Sequence, residues 1–357
     1  MSNKVSICII AKNEEKNIQK CLRAITPLQC EIILTDTGST DKTVEIASQY
    51  TDHIYHFDWC DDFSAARNFC VSRASNDWIL QVDCDEYLVL ANLIRLREVI
   101  KDHPKEIGLI NRISPYPGND VQQKKHEFLA RLYDRNYYSY QGNVQEHIEA
   151  FDKSTVPTTN DNLNYFEVPL TFYHDGFKNT GMRKQKAERD LTLLQESLSI
   201  EGPSPYIYFQ MGKCYVAMND PALAAHYFDL GLSMNVNPSH TYVHEMVESY
   251  GFCLLDLKQY DKALSLENLY DIYNNRADFV FLMGLIYMNN ARFQEAIKQF
   301  EKATKMNNYS IDGVNSYAAN YNIGLIYESM NEPQKAIEYY TKCGNYPPAI
   351  KRISVIR

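Results

Sequence analysis

Apolar residues in the first ninety positions fall into short, nearly uncharged runs, each followed by a polar turn and, in two cases, a stretch with helical spacing. Val5-Ser6-Ile7-Cys8-Ile9-Ile10 reads as a buried strand, rich in β-branched residues, running into Ala11-Lys12-Asn13-Glu14-Glu15 and a helix-like stretch to Ala24. The plan repeats at Glu31-Ile32-Ile33-Leu34-Thr35, which empties into Asp36-Thr37-Gly38-Ser39-Thr40-Asp41 and an amphipathic helix from Lys42 to Gln49. Gly38 can take the tight turn, and Ser39 or Asp41 can cap the helix. A third run, Trp78-Ile79-Leu80-Gln81-Val82, ends in Asp83-Cys84-Asp85. The alternation predicts an α/β domain whose strands deliver acid-rich turns at their carboxyl ends, the edge where open α/β sheets bind ligands.

The period changes in the second half. Gly212, Gly284 and Gly324 each open a Gly-x-x-Tyr frame, with Gly251 a weaker copy; Ala224, Ala263, Ala296 and Ala336 stand twelve positions later. Four positions further come Phe228, Phe300 and Tyr340, with Glu267 the exception. This is the tetratricopeptide pattern of paired antiparallel helices, and two of the three intervals between glycines (39, 33 and 40) exceed the usual period. Such pairs stack into an all-α solenoid whose concave face suits an extended peptide or another subunit. Asn179 to Ser199 has helical spacing with mixed charges, and Glu201-Gly202-Pro203-Ser204-Pro205 breaks it. The expected organisation is an α/β domain over 1–178, a connecting helix and hinge over 179–205, and repeats over 206–357. Ser114 to Asp120 reads as a loop.

In an extended chain residues two apart share a side, so Asp83 and Asp85 would converge on one point. Two like charges that close call for a cation between them, and a hard divalent ion with oxygen ligands is the usual solution. An acidic turn that merely ends a strand is the plain alternative. Asp36 could accept from a base or ribose, and exposed turn amides could meet phosphate.

In their order, these segments resemble family 2 glycosyltransferases of the GT-A fold, a Rossmann-like nucleotide-sugar-binding architecture. The resemblance runs from Ser6–Ala11 with Asn13-Glu14-Glu15, through Asp36-x-Gly38-Ser39-x-Asp41 and Asp58 to Asn68, to Asp83-x-Asp85-Glu86, and covers roughly the first 180 residues. It implies that Ala11, Asn13, Glu14 and Asp36 hold the uridine of a UDP-sugar. Arg67 would lie near the donor, Asp83 near the ribose or the metal, and Asp85 would bind Mn²⁺ or Mg²⁺. Arg131-Leu132-Tyr133, followed by Tyr140 to His147, resembles the stretch where relatives carry an arginine and then Gly-x-x-His-Glu; here Gln145 stands at the histidine's place. Glu146 is the general-base candidate, with His147 the alternative. His174, in Phe172-Tyr173-His174-Asp175-Gly176-Phe177, would complete the metal or diphosphate shell. Repeats behind such a domain resemble bacterial enzymes that glycosylate peptides or proteins, including sublancin-type transferases that modify bacteriocin cysteines, and flagellin transferases.

The expected function is metal-dependent, inverting transfer from a UDP-sugar to a peptide or protein, with the repeats binding the acceptor or a second subunit, as in a homodimer. Transfer to a surface polysaccharide or lipid-linked glycan is the runner-up, and a catalytically degenerate scaffold, favoured only by Gln145, is the reading from another class. A net charge of -9 argues against nucleic acid or an anionic membrane as main partner. Nine cysteines without a CxxC pair read as reduced core residues. No apolar stretch approaches bilayer-spanning length, and a strand starting within five residues leaves no room for a signal peptide, so a cytoplasmic location is expected.

Overall fold

The computed structural model describes residues 5–116, 123–142, 146–159, 162–174 and 180–356. Two compact units share the chain: Met1–Ser114 with Glu127–Lys178, and Pro115–His126 with Asn179–Arg357.

The first unit is built on an eight-stranded mixed sheet in the order β3-β2-β1-β4-β7-β6-β12-β5. Its strands are β1 (Val5–Ala11), β2 (Glu31–Asp36), β3 (Ile54–His56), β4 (Trp78–Gln81), β5 (Glu86–Ala91), β6 (Ile107–Tyr116), β7 (Gln123–Asp134) and, late in the chain, β12 (Tyr165–His174). Two small ladders pair β8 (Tyr138–Gln141) with β9 (His147–Ala150) and β10 (Thr158–Thr159) with β11 (Asn162–Leu163). The helices are α1 (Ile18–Ile25), α2 (Thr43–Ala47), α3 (Phe63–Ser72) and α4 (Leu93–Asp102). Because β1, β2, β3 and β4 run parallel, the turns after them open at one edge of the sheet. The sheet's apolar positions are fully buried, Ile7, Ile9, Leu34 and Leu80 on one side and Cys8, Ile33 and Ile79 on the other. That double burial is why these strands read as continuous apolar runs rather than alternating ones.

The second unit is helical: α5 (Thr180–Glu201), α6 (Pro205–Ala217), α7 (Pro221–Leu232), α8 (Thr241–Asp256), α9 (Tyr260–Leu264), α10 (Tyr270–Tyr273), α11 (Ala277–Asn289), α12 (Phe293–Ala303), α13 (Tyr317–Ser329), α14 (Pro333–Lys342) and α15 (Pro347–Ile356). The glycine-to-aromatic spacing has a direct packing cause. A Cβ on Gly212, Gly284 or Gly324 would overlap the rings of Phe228, Phe300 and Tyr340 respectively, so each ring fills the space its glycine vacates. In the second repeat Gly251 faces Leu282 and Leu266 instead, and the second helix breaks into α9, a 3₁₀ turn and α10. Glu267, in the place of the ring, pairs with Arg292 at 3.0 Å and accepts from the Tyr287 hydroxyl at 3.1 Å.

Residues Ser114 to Tyr116, expected as a loop, continue β6, while 117–120 lie outside the described residues. The segment after them belongs to the helical unit. His126 N–H donates to the Ser310 carbonyl at 2.7 Å, Asp312 N–H donates to that of Lys124 at 2.9 Å, and Lys125 bridges Ile311 antiparallel. The long interval between Gly284 and Gly324 thus contains the 304–316 loop that takes on this extra strand. Lys125 reaches Glu245 of α8 at 2.6 Å and His126 reaches Asp312 at 3.0 Å.

Candidate active site

The loops after β1 and β2 are stitched together. Asn13, in the left-handed region at φ 56, accepts Thr40 N–H on Oδ1 at 2.8 Å, and its own N–H donates to Ser39 Oγ at 2.9 Å. Glu14 N–H donates to Thr43 Oγ1 at 2.7 Å and the Ala11 carbonyl accepts from Thr37 N–H at 2.9 Å. Asp36 is buried and accepts the N–H groups of Gly38 and Ser39 at 3.1–3.2 Å, which builds the turn that Gly38 (φ 98) allows. Asp41, not Ser39, supports the start of α2, accepting Thr43 N–H at 2.9 Å.

Helix α3 carries the next part. Asp62 caps it by accepting Ala65 N–H at 2.9 Å. Ser64, Arg67 and Asn68, spaced i, i+3 and i+4, share one face. Ser64 Oγ donates to the Gly142 carbonyl at 2.6 Å, and Asn68 both donates to the Tyr140 carbonyl at 2.8 Å and accepts Tyr140 N–H at 3.0 Å. Between them Arg67 donates Nε–H to Glu146 Oε1 at 2.9 Å and Nη2–H to Asp83 Oδ1 at 2.9 Å. One helix face therefore grips the chain leaving β8 and places Glu146 beside Asp83.

Asp83 continues into a longer alternation of charges. Its second oxygen accepts from Arg131 Nη2 at 2.5 Å. Arg131 also lies 3.6 Å from Glu86, Glu86 is 3.3 Å from Arg112, and Arg112 pairs with Glu127 at 2.8 Å. Four carboxylates and three guanidiniums thus alternate from Glu146 to Glu127. Burial works against the charge on all three arginines, yet each is held more firmly protonated than usual. Asp83 and then Glu146 do this for Arg67, Asp83 and Glu86 for Arg131, and Glu127 and Glu86 for Arg112. Among the described residues Arg67 Nη1, itself buried, has no hydrogen-bond partner.

Asp85 has a different described partner. The chain leaves β4 at Gln81 and turns at Cys84 and Asp85, so the segment is not the extended strand on which convergence of the two aspartates was expected. Asp83 serves the arginines while Asp85 Oδ2 lies 3.1 Å from His174 Nε2, and His174 Nδ1 is 3.4 Å from Ser114 Oγ. Cys84 is buried, its thiol donating to the Ile10 carbonyl at 3.4 Å.

Residues 6–161 match the family described as Glycosyl transferase family 2, and residues 281–350 match a tetratricopeptide repeat family. Over residues 6–161 the chain is similar to family 2 glycosyltransferases. A TPR repeat-containing protein of Synechococcus elongatus is 26% identical over 78% of this chain and 68% of its own length. The SPbeta prophage-derived glycosyltransferase SunS of Bacillus subtilis is 30% identical over 57% of this chain and 47% of its own. An uncharacterized glycosyltransferase of Rickettsia felis is 29% identical over 40% of this chain and 51% of its own. The chain spans about half the length of the latter two relatives.

Within the first unit the structure brings Arg67, Asp83, Arg131 and Glu146 into one cluster, and Asp85 and His174 into another. It leaves His147 out: that residue starts β9, half-exposed, and pairs with Glu149 at 3.2 Å. Gln145 and the Asp175-Gly176-Phe177 segment lie outside the described residues. Ser64 and Asn68, both inside the matching motif, and Glu86, Arg112, Ser114 and Glu127 take parts that sequence reading missed. The spacing of Ser64 and Asn68 about Arg67 was the available signal. The other four depend on which strands are neighbours.

No helix among the described residues is long and apolar enough to cross a membrane.

Proposed function

We propose that this chain moves a sugar from a UDP-sugar to a peptide or protein acceptor, with inversion and with help from a divalent cation. The observation that carries the reading is Arg67, whose guanidinium joins Glu146 to Asp83. Both contacts to Glu146 fall on Oε1, so the carboxylate is oriented by Arg67 and its Oε2 is the atom to take the acceptor's proton. A base on one face of the sugar and cationic groups on the leaving side describe a single displacement, which inverts the anomeric centre. Arg67 and Arg131 supply positive charge beside the site for the charge developing on the departing diphosphate.

Asp85 and His174 offer a carboxylate and an imidazole, donors that suit Mn²⁺ and, less well, Mg²⁺. Asp83 is committed to two arginines and fits a supporting role. Among the described residues no three His, Cys, Asp or Glu side chains form a cation cage, so diphosphate oxygens would complete the shell. Bound there, the ion supplies Lewis-acid stabilisation of the leaving group. The interlocked loops with Asn13, Glu14 and Asp36 are the uridine site.

The repeats support a peptide or protein acceptor, since stacked helix pairs commonly present long binding faces. The backbone groups of Ser310 and Asp312 are already engaged by this chain's own Lys124 and His126, so the acceptor would use other parts of the unit.

Titrating UDP into the full chain by calorimetry, with and without Mn²⁺, tests the donor site. Binding that strengthens at least tenfold with Mn²⁺ is expected, with little heat from Mn²⁺ alone. Metal-independent or absent UDP binding would sink the reading. Release of UDP from a panel of UDP-sugars, and intact-mass analysis of candidate peptides, then identify sugar and acceptor.

A further inference from the structure

Arg112 lies in the middle of β6, paired through the backbone with Phe172 of β12. Its described ion pairs are with Glu86 at 3.3 Å and Glu127 at 2.8 Å. Glu86 is fully buried and lies between two arginines: Arg112 at 3.3 Å and Arg131 at 3.6 Å. It also accepts the Asp83 N–H at 3.3 Å. Arg131 Nη2 therefore stands between two carboxylates and sits on Asp83, at 2.5 Å, rather than on Glu86.

That preference depends on Arg112. A buried carboxylate without a counter-charge is strongly unfavourable, and the nearest remaining cation is drawn to it. With Arg112 neutralising Glu86, Arg131 is free to stay on Asp83. Asp83 then needs only one contact from Arg67, and Arg67 keeps its other two contacts for Glu146.

We propose that Arg112 is a positioning residue for the transfer reaction, acting through Glu86, Arg131, Asp83 and Arg67 to fix the orientation of Glu146. The proposal rests on Glu146 being the base. Loss of Arg112 moves Arg131 toward Glu86, Asp83 draws Arg67, and Glu146 Oε1 is released. The uridine loops after β1 and β2 take no part in this relay, so turnover falls much more than nucleotide affinity.

The test uses the full chain and Mn²⁺-dependent hydrolysis of UDP-glucose and UDP-N-acetylglucosamine, with UDP affinity by calorimetry and folded fraction by circular dichroism. Arg112→Met is expected to lower kcat at least tenfold with the Kd for UDP within threefold of the parent. Arg112→Lys, which keeps a charge on Glu86, and the double variant Arg112→Met with Glu86→Gln, which removes the pull on Arg131, are each expected to regain most of the loss. Full turnover in Arg112→Met, parallel loss of UDP binding and turnover, or a double variant as slow as the single one would each overturn the proposal. Should Arg112→Met not fold, Arg112→Gln keeps a donor on Glu86 without the charge and is judged by the same thresholds. A parent protein that hydrolyses these two donors no faster than buffer, and no other UDP-sugar of the panel, overturns the functional reading and this inference with it; an active parent beside an equally active Arg112→Met overturns the inference alone.

Discussion

Asn68 holds Tyr140 by both ends of its amide, donating to the backbone carbonyl at 2.8 Å and accepting the backbone N–H at 3.0 Å. Tyr140 is buried, so neither backbone group has water as a ready substitute. Asn68→Ala is expected to cost about 1–3 kcal/mol in stability. By loosening the chain that carries Glu146, it should also lower donor turnover on the order of tenfold to a hundredfold. Thermal unfolding and UDP-release rates check the two effects separately, and a variant matching the parent in both would show that the clamp does nothing.

Asp85 and Glu146 are expected to fail in different ways. Asp85→Ala should remove the Mn²⁺-dependent part of UDP binding, and turnover with it. Glu146→Gln keeps the shape and the contact to Arg67, so it should retain UDP affinity while slowing transfer by roughly 10²–10⁴. Calorimetry beside kinetics separates them.

Ser114 Oγ lies 3.4 Å from His174 Nδ1, the ring nitrogen opposite the one facing Asp85, and so helps to hold the orientation of the imidazole. Ser114→Ala is predicted to weaken Mn²⁺ affinity in the presence of UDP by about 10–100-fold, the usual effect of removing a group that orients a metal-binding histidine. A Mn²⁺ titration followed by the heat of UDP binding measures it; unchanged affinity would place His174 outside the metal shell.

Gly284→Ala puts a methyl group against the Phe300 ring, where the added carbon has no room. Overpacking of this kind should destabilise the repeats by about 1–3 kcal/mol. Because Phe300 is fully buried, repacking cannot be achieved by swinging the ring into solvent. Differential scanning calorimetry of the full chain reports the shift.

Glu248 gives the repeats a pH dependence of definite sign. Burial, with Asp278 and Glu245 adding to it, outweighs Arg276 at 3.2 Å and pushes the carboxyl up to about 8. The folded state therefore binds the proton more tightly than the unfolded chain. The stabilisation from this group is complete below the ordinary glutamate range and is lost as pH rises through about 8. Glu248→Gln should be more stable than the parent at pH 9, on the order of a few kcal/mol, and the difference should shrink toward pH 5. Denaturant unfolding at several pH values checks the slope.

The parts legible in the sequence were those set by local period. Buried strands such as Ile7 to Ile10, the Gly38 turn and the glycine-to-aromatic interval of the repeats each follow from neighbours along the chain. The reading of Asp83 and Asp85 assumed extended geometry, whereas the backbone turns at Cys84 and the described partners of the two acids differ, the arginines for one and His174 for the other. The partnership of Arg112 with Glu86 was not legible because it depends on β6 lying between β7 and β12, a pairing across long stretches of chain that no local spacing encodes. Lys125 carried no signal at all, since its partner Glu245 lies 120 positions away.

The discontinuous make-up of the helical unit changes what can be cut from this protein. Lys124, Lys125 and His126 are encoded in the middle of the catalytic half yet satisfy hydrogen bonds of the 304–316 loop. A chimera joined at residue 178 would carry foreign repeats against a mismatched strand and strand the native ones without theirs. Swapping the helical unit between such chains calls for two splices, one around 115–126 and one at 179, made together.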